Sequence, residues 1–127
     1  MKEKLLFEYA VIRVVPRVER EEFLNVGVIL YSKGLKYLNV VYTLDDEKMK
    51  VICPKADCTE LKEYLSAFER ICKGGKEAGP IGELDVASRF RWLTATRSTV
   101  VQCSKVHPGM SDNPEEALQK LFGELVL

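Results

Sequence analysis

The stretch RFRWLTATRST, Arg89 to Thr99, gathers three arginines (Arg89, Arg91 and Arg97), the single tryptophan Trp92, and a hydroxyl-rich tail containing Ser98. Guanidinium forks match carboxylates and phosphates through paired hydrogen bonds, and aromatic rings offer stacking surfaces. Such a segment reads as an anion site or as a platform for single-stranded nucleic acid. It also reads as the cationic half of ion pairs with the acidic run Glu19, Glu21 and Glu22, with Phe90, Trp92 and Leu93 simply packing. A second basic pair, Arg13 and Arg17, flanks the end of an apolar run. An arginine inside such a run needs a partner or water. It either reaches a pocket shared with Asn25 or emerges at the solvent face. Asn25-Val-Gly27 interrupts another apolar run with two poor strand formers. That pattern fits a β-bulge or a close backbone approach, with Asn25 bonding across the sheet.

The only histidine is His107. It has Ser98, Ser104 and Asp112 as candidate partners for general-base work, but no nucleophile elbow accompanies it, so it is a weak catalytic candidate beside a turn or capping role. Four residues separate Cys53 from Cys58, and three separate Cys103 from His107. That spacing permits a zinc site from these four but lacks paired Cys-x-x-Cys knuckles, so free thiols and no metal are the expectation. P-loop, dinucleotide-binding, HExxH and EF-hand patterns are missing from the sequence. No cofactor is implied.

These residues need elements to hold them. Phe7 to Val15 reads as a strand covered on both faces, ended by Pro16. Phe23 to Tyr31 is a second strand. Simple alternation puts Leu24, Val26, Val28 and Leu30 on one apolar face, expected to pack on the Asp57–Lys73 helix, with Phe23, Asn25, Gly27, Ile29 and Tyr31 opposite. A turn around Gly34 leads to a third strand, Tyr37 to Thr43. Asp45 to Ile52 has an acidic start and a following proline, which favours a short helix. Asp57 to Lys73 is helical: Leu61, Tyr64, Leu65, Phe68, Ile71 and Cys72 share a face, Asp57 and Glu60 have capping-box spacing, and Gly74-Gly75 ends it. Gly79 to Gly82 reads as a loop, Leu84 to Leu93 as partly helical, Ser98 to Cys103 as a fourth strand and His107 to Gly109 as a turn. Asn113-Pro-Glu-Glu opens a last helix with Leu118, Leu121, Phe122 and Leu125 as its stripe.

Bulk properties set the class. The 127 residues are 46% hydrophobic and 30% charged with zero formal net charge, an ordinary globular balance that does not favour nucleic acid or an anionic membrane. No segment approaches the ~18 apolar residues of a membrane span, and the N-terminus carries Glu8 and Arg13 where a signal peptide would be apolar. The cytosol is the default location. The chain reads as a single α+β domain over residues 1–127. Its antiparallel sheet has about four strands, a three-stranded N-terminal meander plus one later strand, packed against a helical layer.

Three blocks, YAVIRVVPRVEREEFLNVGVILY (Tyr9 to Tyr31), RFRWLTATRSTVVQ (Arg89 to Gln102) and SKVHPG (Ser104 to Gly109), together resemble a bacterial family, domain of unknown function 3037. The blocks span essentially the whole chain. Thr96 and Cys103 stand where the family pattern has proline, leaving the turn after Leu93 less rigid. The family carries no established activity, so the resemblance implies no catalytic residue. It implies a small companion of a HipA-like kinase, because members are encoded beside such proteins. The residues and the resemblance together favour a non-catalytic binding or accessory module. Arg13, Arg17, Asn25, Arg89, Arg91, Trp92, Arg97 and Ser98 are its candidate anion- or partner-binding residues. The alternative is a small enzyme acting on a phosphate-bearing substrate or nucleic acid, with the arginines clamping the anion and His107 as acid/base.

Overall fold

The structure, a computed structural model, describes residues 3–15, 23–45, 47–48, 58–95 and 101–127. Strands β1 (Leu5–Val14), β2 (Leu24–Ser32) and β3 (Tyr37–Tyr42) form the expected antiparallel meander, in spatial order β3-β2-β1. The turn after β2 is held by Ser32, whose hydroxyl donates to the Leu6 carbonyl and accepts from the Leu35 amide. Its one positive φ falls on Lys36 (52°), not on Gly34.

β1 is the centre of the sheet. Its free edge is shared by two short antiparallel strands, β4 (Val101–Cys103) along Ile12 to Val14 and β5 (His107–Ser111) along Leu5 to Tyr9. Between them the ladder is bridged at Val11. The Ser104 amide donates to the Val11 carbonyl, and the Ser104 hydroxyl accepts from the Val11 amide in place of a main-chain carbonyl. The expected turn at His107–Gly109 is therefore a strand, and the sheet has five strands. Gly109 lies opposite Phe7, whose ring occupies the space a Cβ would need.

Helix α1 (Cys58–Lys73) carries the expected stripe of Leu61, Leu65, Phe68 and Cys72 and ends at Gly74, whose φ is 78° and whose amide bonds the Arg70 carbonyl. The Asp57 cap lies outside the described residues. Glu47 and Lys48 are helical, and their amides bond the Asp45 carboxylate, as an acidic cap does; residues 46 and 49–52 lie outside the described residues. Gly79–Gly82, expected as a loop, is one helical turn, α2, started by Pro80. Helix α3 (Val86–Thr94) is capped by the Asp85 side chain accepting from the Ser88 amide, which holds that carboxyl below the usual carboxylate range. Helix α4 (Pro114–Leu125) starts as its sequence dictates: the Asn113 side chain accepts from the Glu116 amide, with Pro114 at the first position.

Two apolar clusters sit on the two faces of the sheet. On one face Ala10, Ile12, Val14, Val26, Ile29, Tyr31 and Val40 pack against α1 and α3. On the other, Phe7, Val28 and Leu30 pack against Leu118, Leu121 and Phe122 of α4. The sheet is thus covered on both sides, which explains the nearly continuous apolar run of β1. The expected grouping of Leu24, Val26, Val28 and Leu30 under α1 is corrected. Ile12 pairs with Gly27 and Arg13 with Asn25, so Val26 is the extra residue of a bulge. A bulge shifts side-chain alternation by one residue. It leaves Val28 and Leu30 under α4 and turns Val26 and Leu24 toward α1. Gly27 is required beside it, because a Cβ there would lie 2.6 Å from the Val41 carbonyl oxygen of β3.

Candidate functional site

The bulge at Val26 decides where the polar residues of β1 and β2 meet. By strand alternation Arg13 shares the face of Phe7 and Tyr9, the α4 side. The bulge puts Asn25 directly opposite it, and β4 puts Gln102 opposite it on the other side. Asn25, Arg13 and Gln102 therefore form one polar row across three strands. Asn25 does not bond across the sheet as expected; its amide nitrogen donates to the Leu125 carbonyl at 3.1 Å, tying the row to the C-terminal end of α4. The Arg13 guanidinium lies over the Phe23 ring, 4.2 Å from its centroid. No carboxylate among the described residues pairs with it. Arg13 Nε and Asn25 Oδ1 are both enclosed without a hydrogen-bond partner, although buried polar groups are satisfied in the great majority of cases.

Two other candidate arginines, Arg89 and Arg91, do not join this row. Arg89 is 9% exposed and sits on the opposite face, among α1 and α3. Its Nη1 donates to the carbonyls of Ile71 and Cys72, each at 3.0 Å, at the end of α1. A cation there offsets the orphan carbonyls and the negative end of the helix. Gly74 leaves the space this guanidinium fills. Arg91 is exposed on α3 and pairs with Glu8 at 2.8 Å, an exposed ion pair worth at most about 1 kcal/mol. Trp92, beside it on α3, is 38% exposed. Arg17, Arg97, Ser98 and the acidic run Glu19, Glu21 and Glu22 lie outside the described residues.

His107 is exposed on β5 with its ring 5.5 Å from that of Tyr9. Tyr9 and Arg13 are four residues apart along β1, roughly 13 Å at the usual strand rise. Ser104, one of its candidate partners, has its hydroxyl engaged by Val11 and Lys105. Cys103 pairs with Ile12 and His107 with Tyr9, so their side chains lie on opposite faces and cannot share one zinc ion. Cys53 and the Cys58 side chain lie outside the described residues. The Cys103 thiol donates to the Leu93 carbonyl at 3.5 Å, while Cys72 is a free thiol that burial pushes up to about 12.

Two site residues escaped the sequence reading. Gln102 had no signal, because its role depends on which strand pairs with β1. Phe23 had one: alternation places it on the same face as Asn25. At the far end of β1, an open groove of about 400 Å³ runs between β5 and α4, lined by Phe7, Met110, Leu121, Lys4, Lys120 and Glu116 among others.

A family model described as protein of unknown function (DUF3037) matches residues 9–126, nearly the whole chain. The chain belongs to this family. No curated protein matches it, and no solved structure does. Within DUF3037, then, the polar row of this chain is read from its own geometry. No helix among the described residues is long and apolar enough to cross a membrane.

Proposed function

We propose that this DUF3037 protein is a non-catalytic binding or accessory module whose Asn25–Arg13–Gln102 row receives an anionic group of its ligand or partner. The observation that carries the reading is Arg13. It is held in the middle of a sheet, its guanidinium over the Phe23 ring, with no carboxylate among the described residues to neutralise it. A guanidinium fixed by an aromatic ring has already lost much of its rotamer freedom, so an incoming anion gains more from it than from a mobile surface arginine. Arg89 and Arg91 serve the fold in this reading, since each already has acceptors within hydrogen-bond distance.

A protein is the expected carrier of the anion, and a HipA-like kinase is the partner that the family resemblance suggests. The test is affinity purification from the native host with the tagged wild type and the Arg13→Ala variant, followed by quantitative mass spectrometry. One protein or small molecule should be recovered with the wild type and lost with a variant of unchanged melting temperature. Identical recovery with both proteins refutes the reading.

A further inference from the structure

The two edges of the sheet are finished differently. Val11 exchanges both backbone bonds with Ser104, so its N–H and C=O point toward β4 and β5. Backbone direction alternates along a strand, so Tyr9, Phe7 and Leu5 point the same way, and their partners His107, Gly109 and Ser111 face β1. Pro108 and Met110 therefore turn their backbone groups outward. The same alternation, carried from Ala10 through Ile29 of β2, makes Val40 an outward residue of β3.

On β3 that outward amide is taken. The Asn39 side-chain oxygen accepts from it at 2.9 Å, and no residue of β3 is exposed. On β5, His107, Pro108 and Met110 are all exposed. No group among the described residues bonds the outward N–H and C=O of Met110. Met110 is 57% exposed, and Leu6, directly opposite it on β1, is 56% exposed. Cross-strand partners share a face, so an apolar pair flanks the open edge. Such an edge is a template for another strand.

The hydrogen-bonding pattern of the edge selects its occupant. Pro108 has no N–H to give, so the registers open to two copies of β5 about a two-fold axis are not equivalent. Centred on Pro108, two residues without donors oppose each other. Centred on Gly109, each Met110 meets a Pro108, and both Met110 carbonyls go unbonded. Centred on Met110, the N–H and C=O of each copy bond those of the other, with nothing left over at the axis. That register also sets Leu6, Met110 and their counterparts in one apolar row, the two Met110 Cα atoms roughly 5.5 Å apart.

We infer that a second copy of this chain docks on this edge, β5 against β5, antiparallel and centred on Met110, joining the two sheets into one. The contact is isologous, as in the commonest oligomers. It uses the Leu5–Tyr9 end of β1 and not the Arg13 end, so it stands or falls separately from the anion site.

The test is sedimentation equilibrium of the full chain from micromolar to millimolar concentration, where a reversible dimer should appear. Met110→Pro removes an N–H that β1 does not use. It should keep the melting temperature of the monomer and weaken the dimer roughly tenfold or more, since two hydrogen bonds are lost. Met110→Lys sets two like charges on the axis and should weaken it as well; it carries the test if proline disturbs β5. Hydrogen exchange should show protection of the Met110 amide rising with concentration while that of Val40 stays constant. Under oxidising conditions Met110→Cys should give an intermolecular disulfide joining position 110 of both copies, a Cα separation within the usual range of roughly 4.4–6.8 Å, and Leu6→Cys should not cross-link. A monomer across the whole range, a dimer indifferent to both Met110 variants, or cross-linking of Leu6→Cys in place of Met110→Cys would overturn the inference.

Discussion

Gly74→Ala should cost far more than a surface methyl normally does, and the reason lies in Arg89. Gly74 has φ 78°, and a Cβ built there would stand 2.8 Å from Arg89 Cζ and closer still to Nη1. The left-handed conformation alone costs a non-glycine residue roughly 1–2 kcal/mol. Displacing the guanidinium would break its two bonds to the Ile71 and Cys72 carbonyls, each worth about 1.5–3 kcal/mol as a charged hydrogen bond. If one bond is lost, the total is about 2.5–5 kcal/mol, a large share of the ~5–15 kcal/mol that holds a domain together. Urea denaturation followed by circular dichroism measures it directly. The decisive form is a double-mutant cycle with Arg89→Met. In the methionine background Gly74→Ala should cost only the backbone term, about 1–2 kcal/mol. An equal cost in both backgrounds would refute the coupling between the glycine and the arginine.

Three further outcomes follow from the packing and the ionisable groups. Val28→Ala and Leu118→Ala should each destabilise, Leu118→Ala by about 2–5 kcal/mol as a large-to-small core change, and should couple in a double-mutant cycle; coupling of Val28 to Leu65 of α1 instead would contradict the bulge. The Tyr37 hydroxyl bonds Glu115; burial and that bond push Tyr37 up to about 12, and the bond holds Glu115 below its usual range. Glu115 should therefore add stability above the ordinary carboxylate range that is lost as pH falls through its lowered pKa, and Tyr37 should add stability below pH ~10 that is lost as pH rises toward about 12. Comparison of wild type with Tyr37→Phe across pH checks both limbs, and a difference independent of pH would rule the pair out. Cys72, buried and shifted upward to about 12, should resist iodoacetamide at pH 8 until the protein unfolds, since the thiolate is the reactive form; rapid native-state alkylation mapped to Cys72 would contradict its burial.

The elements themselves were largely legible in the residues. β1 to β3, α1 and α4 follow from apolar periodicity, the glycines after Lys73, and the Asn113-Pro-Glu-Glu cap, all local signals. The continuous apolar run of β1 even announced cover on both faces. What local signals do not contain is register. Asn25-Val-Gly27 pointed to a bulge, but only pairing with Ile12 and Arg13 reveals that Val26 is the inserted residue and that Val28 and Leu30 therefore lie under α4. β5 was hidden because Pro108-Gly109 carries turn chemistry; it becomes a strand by pairing with Leu5 to Tyr9, with Gly109 making room for Phe7. The site was half visible for the same reason. Arg13 and Asn25 stood out as polar residues in apolar strands, and they do meet. The RFRW segment drew attention by composition, yet Arg89 and Arg91 are engaged elsewhere, at the end of α1 and at Glu8. Composition shows that charge is present; only tertiary pairing shows where it is already satisfied.

The central claim is that the Arg13 row binds an anion. The measurement that tests it most directly is the melting temperature of wild type and Arg13→Ala against rising concentrations of benzoate, phosphate, nucleotides and short oligonucleotides. A ligand that binds only the folded state raises stability by RT ln(1 + [L]/Kd), about 2.7 kcal/mol at a hundredfold excess over Kd. The account predicts a concentration-dependent rise for the wild type with at least one anion and none for Arg13→Ala. A wild type that does not respond to any of them at millimolar concentration, or a variant that responds equally, would contradict it.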